Sequence, residues 1–139
     1  MGASSRTKGA SGEREFAGLL HDHLGVRLVR NLEQSRSGGH DLITHPDEAG
    51  PVADMLRRYA IEVKRYSKPT DSLIGRWWRQ TEQQAQEVGA LPCLAYRGNR
   101  AAWRVVVPLA ALMDTITDDG LTYAATLSLE GFCALVREG

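Results

Sequence analysis

Asp41, Glu62 and Lys64 are residue types that together can handle a phosphate ester. Side chains alternate across a strand, so in "AIEVKRY" (60–66) Ile61 and Val63 point one way while Ala60, Glu62 and Lys64 point the other. A solvated Glu/Lys pair would contribute only about 0 to 1 kcal/mol, too little to explain two charges beside core residues. If partly buried they need counter-charge, which a divalent cation supplies. Asp41 follows the Gly38-Gly39 turn and opens the apolar stretch Leu42-Ile43. Aspartate is depleted from strands, so this one either caps a turn or has a task. Asp41, Glu62 and the backbone carbonyl of Val63 offer hard oxygen ligands suited to Mg2+, and Lys64 beside them can orient or deprotonate a water. Such a set can hydrolyse a phosphodiester.

A scaffold must bring these segments together. The first ten residues read as a flexible basic arm, followed by a helix from Ser11 as N-cap to Leu24, with Gly25 as its stop. On that helix Phe16, Ala17, Leu20 and Leu24 form one stripe, with Leu19 at its edge. Glu13 falls within the stripe and Glu15 outside it, so one carboxylate faces the core side and the other water. The helix dipole alone could account for an acid near the N-terminus. Strands are expected at 26–33 and 40–44, then an irregular stretch "HPDEAGPVAD", a strand at 58–66 and a helix from Asp71 to Val88 ending at Gly89. Strands at 91–97 and 101–107 meet at "RGNR", with Gly98-Asn99 turning a hairpin. A short helix at 109–114, a strand at 122–127 and a helix at 129–138 complete an α/β order built on a mixed sheet.

With 139 residues, 42% of them hydrophobic, the chain suits one domain. No run of about 18 apolar residues occurs, and the polar start has no apolar leader core, so neither membrane spanning nor secretion is expected. Cys93 and Cys133 show no zinc spacing and suit a reducing cytoplasm as small buried hydrophobes. The formal net charge of zero hides an asymmetry: residues 57–104 carry ten bases and four acids, residues 105–139 one base and five acids. Arg6, Lys8, Arg14, Arg36, Arg65 and Lys68 are candidates for a DNA backbone, while Arg97 and Arg100 read more simply as solvated charge. Trp77 and Trp78 point about 100° apart on a helix. Trp78 aligns with Ile74, Thr81 and Ala85 and reads as packing; Trp77 aligns with Leu73, Gln80 and Gln84. It fits a dimer contact, ranked first, a base-stacking platform or the edge of the core. His21 and His23 read as surface residues, and His40 as a turn histidine.

Asp41 followed by Glu62-Val63-Lys64 resembles the PD-(D/E)xK nuclease signature. "KGASGEREF" (8–16), "SRSGGHDLI" (35–43), "AIEVKRY" (60–66), "GALPCLAY" (89–96) and "WRVVV" (103–107) together, and in order, resemble the archaeal-type Holliday-junction resolvases and their viral relatives. The resemblance implies a restriction-endonuclease-like three-layer core, a mixed central sheet flanked by helices. It also implies a Mg2+-dependent endonuclease, with Mn2+ as a stand-in, acting as a homodimer that cuts four-way DNA junctions with paired nicks. It casts Glu13 as a first-helix acid reaching the metal through water, Asp41 and Glu62 as metal ligands, Lys64 as the catalytic lysine and Gln80 as polar support from the second helix. The literal Pro-Asp dipeptide falls instead at Pro46-Asp47, in a Pro- and Gly-rich loop poorly suited to hold a ligand. Asp41 is therefore favoured over Asp47, and whichever reaches Glu62 decides. Residues 45–58 are longer than in typical relatives, and 109–139 form an extension outside the resemblance. A nuclease of linear duplex or DNA ends, or a non-catalytic DNA-binding module on the same fold, are the competing functions; the intact acid, acid and lysine set counts against the last.

Overall fold

The computed structural model describes residues 2–32 and 39–139, with side chains from residue 9 onward. Six strands form one sheet in the order β1 (Leu28–Arg30), β2 (Leu42–Thr44), β3 (Tyr59–Arg65), β4 (Leu91–Arg97), β5 (Arg104–Pro108) and β6 (Ala124–Ser128). Only β3 and β4 pair in parallel; the other neighbours are antiparallel. The α/β class and mixed sheet expected from the sequence are present.

The parallel pair needs a crossover, which is the helix α3 (Asp71–Val88). Its ends follow from side-chain chemistry: the Thr70 hydroxyl accepts from Leu73 N–H, and Gly89 takes the left-handed conformation at φ 66°. On the opposite face lie α1 (Gly2–Leu24), α2 (Pro51–Leu56) and α4 (Leu129–Glu138). Between these helices and the sheet sit Phe16, Leu20, Ile61, Val63, Val105, Val107 and Phe132, all buried. Full burial of each such side chain stabilises the fold by roughly 1.5–3 kcal/mol. Trp77, Trp78, Leu94 and Val106 form a smaller core beneath α3. The central strand β3 is thus covered on both faces, the usual setting of parallel strands.

Several boundaries differ from expectation. α1 begins at Gly2, so Ser11 lies inside the helix and the backbone of 2–10 continues it. That stretch has no proline, and extending a formed helix adds a bond per residue without a new nucleus. α2 occupies part of the stretch read as irregular. It is only six residues long, too short for a periodic pattern, and Pro51 opens it at the first turn while Ala53 and Leu56 point inward. β5 starts at Arg104 because a turn at 98–101, closed by Ala101 N–H donating to Gly98 O at 3.3 Å, is followed by non-strand residues to Trp103. The expected helix at 109–114 is one 3-10 turn, Leu109–Ala111.

Trp77 is only 4% exposed, which overturns its reading as a free dimer or stacking surface. Its ring lies 4.9 Å from that of Tyr66 and 6.2 Å from that of Tyr96. A sheet is a broad floor, so two helix positions 100° apart can both rest on it.

Candidate active site

The site forms where β2 stops pairing with β3. The one register pair between them is Leu42↔Ile61, both on the α1 face, so the residues flanking them, Asp41 and Glu62, turn together to the α3 face. Asp41 is 4% exposed and tied into the ladder twice: its N–H donates to Ile61 O at 2.9 Å, and its Oδ2 accepts from Val63 N–H at 2.8 Å. Glu62 is 2% exposed and lies within hydrogen-bonding reach of Asp41 and of the Gln84 side chain on α3. Asp47 is elsewhere, 80% exposed and 3.9 Å from His45. It is therefore Asp41 that reaches Glu62.

Burial and then the hydrogen bond and charge of Asp41 push the Glu62 carboxyl up to about 9, against the pull of Lys64 and Gln84. Its Oε2 is buried with no hydrogen-bond partner among the described residues. Two adjoining buried carboxylates with an orphaned oxygen are a poor ion set on their own and a good one around a hard cation. Val63's carbonyl faces the same edge as its N–H, toward Asp41, by the alternation of the ladder. The donor set thus fits Mg2+. Among the described residues no group of three or more His, Cys, Asp or Glu is placed to hold a metal.

Glu13 comes from α1, on the other face of the sheet, and is 7% exposed. Burial first, then the charge of Asp41, raise its carboxyl above the ordinary value, while Arg30 and Lys64 hold it down. Arg30 Nε donates to Glu13 Oε2 at 2.7 Å. Lys64 is half-buried and acts electrostatically on both Glu13 and Glu62, yet forms no ion pair within 4 Å among the described residues. Glu13 and Glu62 thus each feel the charges of Asp41 and Lys64, which places the four groups, from three separate segments, in one electrostatic neighbourhood. His40 precedes Asp41 with Nδ1 buried and unpaired among the described residues; burial lowers its pKa, against the pull of Asp41.

Glu15 corrects the expectation that it faces water. Its Oε2 accepts from Arg97 Nε at 3.0 Å and Trp103 Nε1 at 2.9 Å, and its Oε1 from a terminal Arg97 nitrogen at 3.0 Å. Burial opposes its charge, but the Arg97 and Trp103 hydrogen bonds and the Arg97 and Arg65 charges outweigh it, and its carboxyl titrates below the ordinary value. Arg65, expected on the DNA side, is turned by the alternation away from Lys64 and toward α1, with Nε 3.8 Å from Glu15 Oε1. Gly12 admits this approach, since a Cβ there would stand 3.0 Å from Arg65 Cβ. Glu15→Ala should strip three donors of their acceptor and destabilise the fold by about 2 kcal/mol. Chemical denaturation of the variant checks this, and an unchanged midpoint would show the clamp to be idle.

Gln80 is exposed, and Gln84, one turn on, is the glutamine beside Glu62. Arg30 and Gln84 were not expected at the site, though Gln84 had a signal: a polar residue on the same helical stripe as Trp77. Arg14 and Lys68 are exposed, as a DNA contact requires. The side chains of Arg6 and Lys8, and Arg36 altogether, lie outside the described residues.

A family model described as "Phage putative PDDEXK endonuclease" matches residues 4–130. The chain belongs to this PDDEXK endonuclease family. The match takes in Glu13, Asp41, Glu62 and Lys64 and runs through β6 into the first residues of α4, well past the segments that carry the sequence resemblance. Among solved structures, Hjc of Archaeoglobus fulgidus, a Holliday junction resolvase from an archaeal hyperthermophile, is similar at 19% identity and a TM-score of 0.45, over 87% of this chain and 84% of that one. No curated protein matches the chain. No helix among the described residues is long and apolar enough to cross a membrane.

Proposed function

We propose that this PDDEXK endonuclease is a Mg2+-dependent enzyme that resolves four-way DNA junctions as a homodimer. The observation that carries the catalytic reading is the buried Asp41–Glu62 pair with an orphaned Glu62 oxygen beside Lys64. Asp41, Glu62 and the Val63 carbonyl would hold the ion. When bound, it supplies Lewis acidity toward the phosphate and acidifies water. The protein's own groups do the rest. Lys64, without an ion-pair partner among the described residues, orients the attacking water and, in its neutral amine form, takes its proton. Glu13, braced by Arg30, sets the field on the other side of the sheet edge. Gln84 fixes the Glu62 carboxyl by hydrogen bonding from α3. Arg14 and Lys68 offer exposed charge to phosphates, a grip that reads backbone shape and not base identity.

The junction reading draws its support from the five segments that resemble resolvases in family order. Purified protein given labelled four-way junctions and matched linear duplex in Mg2+ should cut the junction at paired positions and spare the duplex. Equal cleavage of both would replace resolution with a duplex or end-directed nuclease. Sedimentation of the protein with and without junction tests the dimer.

A further inference from the structure

β3 and β4 run parallel, with Lys64 beside Tyr96 and Arg65 beside Arg97, so the chain leaves both strands at the same end of the sheet, next to the site. There the connection after β3 faces the hairpin after β4 across an open cleft of about 390 Å3 lined by Ser67, Lys68, Ile74, Tyr96, Asn99 and Arg104. Its walls are fastened together. Asn99 N–H donates to Ser67 O at 3.1 Å and Tyr66 N–H to Arg97 O at 3.2 Å. Gly98 packs so closely on the facing loop that a Cβ would stand 2.8 Å from Pro69 Cδ.

The charges divide into two groups. Arg97 also borders the cleft, but its guanidinium is committed to Glu15. Lys68 and Arg104 are exposed, and neither forms an ion pair within 4 Å among the described residues. Asp71, in the first turn of α3, acts on Tyr96 in the direction opposite to Arg104, yet is joined to neither cation by such a pair. Arg100, in the turn between Asn99 and Ala101, is the sole described non-glycine residue with positive φ, at 59°. Glycine or asparagine suits that backbone better, so a long cation held there is a local conflict of the sort that collects at functional sites.

We infer that this cleft holds a backbone phosphate of the substrate DNA flanking the cut, contacted by Lys68 and Arg104, while Arg100, exposed in the adjoining turn between the lining residues Asn99 and Ala101, offers a further cation to the same strand. The inference rests on the reading of the chain as a DNA endonuclease. Uncommitted cations beside the small polar groups of Ser67 and Asn99 suit a compact monoanion, and no element there is shaped to enter a groove and read base edges. The cleft lies one to two strand spacings from Lys64, roughly 5–10 Å across the sheet, so a phosphate held in it aligns the strand running through the site. Arg97 and Arg100 both read as solvated charge in the sequence; the structure separates a half-buried clamp from an exposed turn residue.

The test uses the double variant Lys68→Gln/Arg104→Gln and, separately, Arg100→Gly. Binding of labelled four-way junction and linear duplex is measured in Ca2+ across a salt series, alongside melting temperature. The double variant should bind both DNAs about tenfold more weakly at moderate salt, with the slope of log K against log salt shallower by about 2. Arg100→Gly should melt no lower than wild type, because glycine relaxes the turn, and still bind DNA several-fold more weakly. A merely structural arginine would not give that combination. Wild-type affinity and salt slope in the double variant would overturn the cleft. A wild-type protein that binds DNA with this salt response but cuts none would overturn the endonuclease reading and leave the cleft standing.

Discussion

Lys64→Ala should slow single-turnover cleavage of a four-way junction by about 10^2- to 10^4-fold, the usual contribution of a positioned proton-transfer group. Glu62→Ala should cost at least as much, since it removes the most buried carboxylate of the site. Junction binding in Ca2+, which tests grip without turnover, should survive the Lys64 change, because the proposed phosphate contacts lie on other residues. Lys64→Arg separates two roles for the amine. A guanidinium keeps the charge but does not give up its proton near neutral pH. Recovery of most of the rate would make Lys64 an electrostatic residue; failure of both variants marks it as the group that moves the proton. If Lys64→Ala or Glu62→Ala cuts at near wild-type rate, the assignment of the site is wrong.

The elements that carry this site were legible where the signal is local. α3 could be read residue for residue because an amphipathic pattern, a first-turn acid and a terminal glycine coincide. Asp41 could be singled out because aspartate beside a glycine turn conflicts with a strand, and Glu62 and Lys64 because their alternation conflicts with a buried one. The helical wheel also put Glu13 on the sheet side. The same wheel misjudged Glu15, since it assigns a direction around the helix axis but not what has wrapped to that side. Arg97 and Trp103 reach Glu15 from more than 80 residues away along the chain. Trp77 failed for a related reason: a wheel assumes a narrow contact, and β3 to β5 present a wide one.

Position along an axis is harder to read than direction around it. Gln80 and Gln84 share a stripe, and which one stands beside Glu62 depends on how far the connection between β3 and α3 travels before the helix turns back. No local pattern encodes that distance. Here the chain spends residues 66–70 before α3 begins, which leaves Gln80 exposed and brings Gln84 down onto the strand. α2 escaped because Pro51 and Gly50, read as loop formers, here mark a helix start.

The buried carboxyl of Glu62 makes the metal-free protein sensitive to pH in a direction opposite to that of an ordinary paired acid. Its pKa stands near 9 in the folded chain, chiefly through burial and then through Asp41, and at about 4.5 when unfolded. Between those values the folded state holds a proton that the unfolded state has lost. Stability contributed by this group is full below pH 4.5 and falls as pH rises toward 9. His40, its pKa lowered by burial from 6.5, works in the other direction below that pH, so the range to read is 7 to 9. There the loss should reach about 2 kcal/mol, on a limiting slope of about 1.4 kcal/mol per pH unit. Thermal melts in EDTA should fall across that range for wild type, and Glu62→Gln, which keeps the shape without the charge, should flatten the trend and melt higher at pH 8. Mg2+ should raise the wild-type melting temperature more at pH 8 than at pH 7, because it competes with the proton for the same carboxyl, and should leave Glu62→Gln nearly unmoved. A Glu62→Gln protein melting below wild type at pH 8 without metal would mean that Lys64 and Gln84 already hold the carboxylate ionised, and that the site has no deficit of positive charge for a cation to fill.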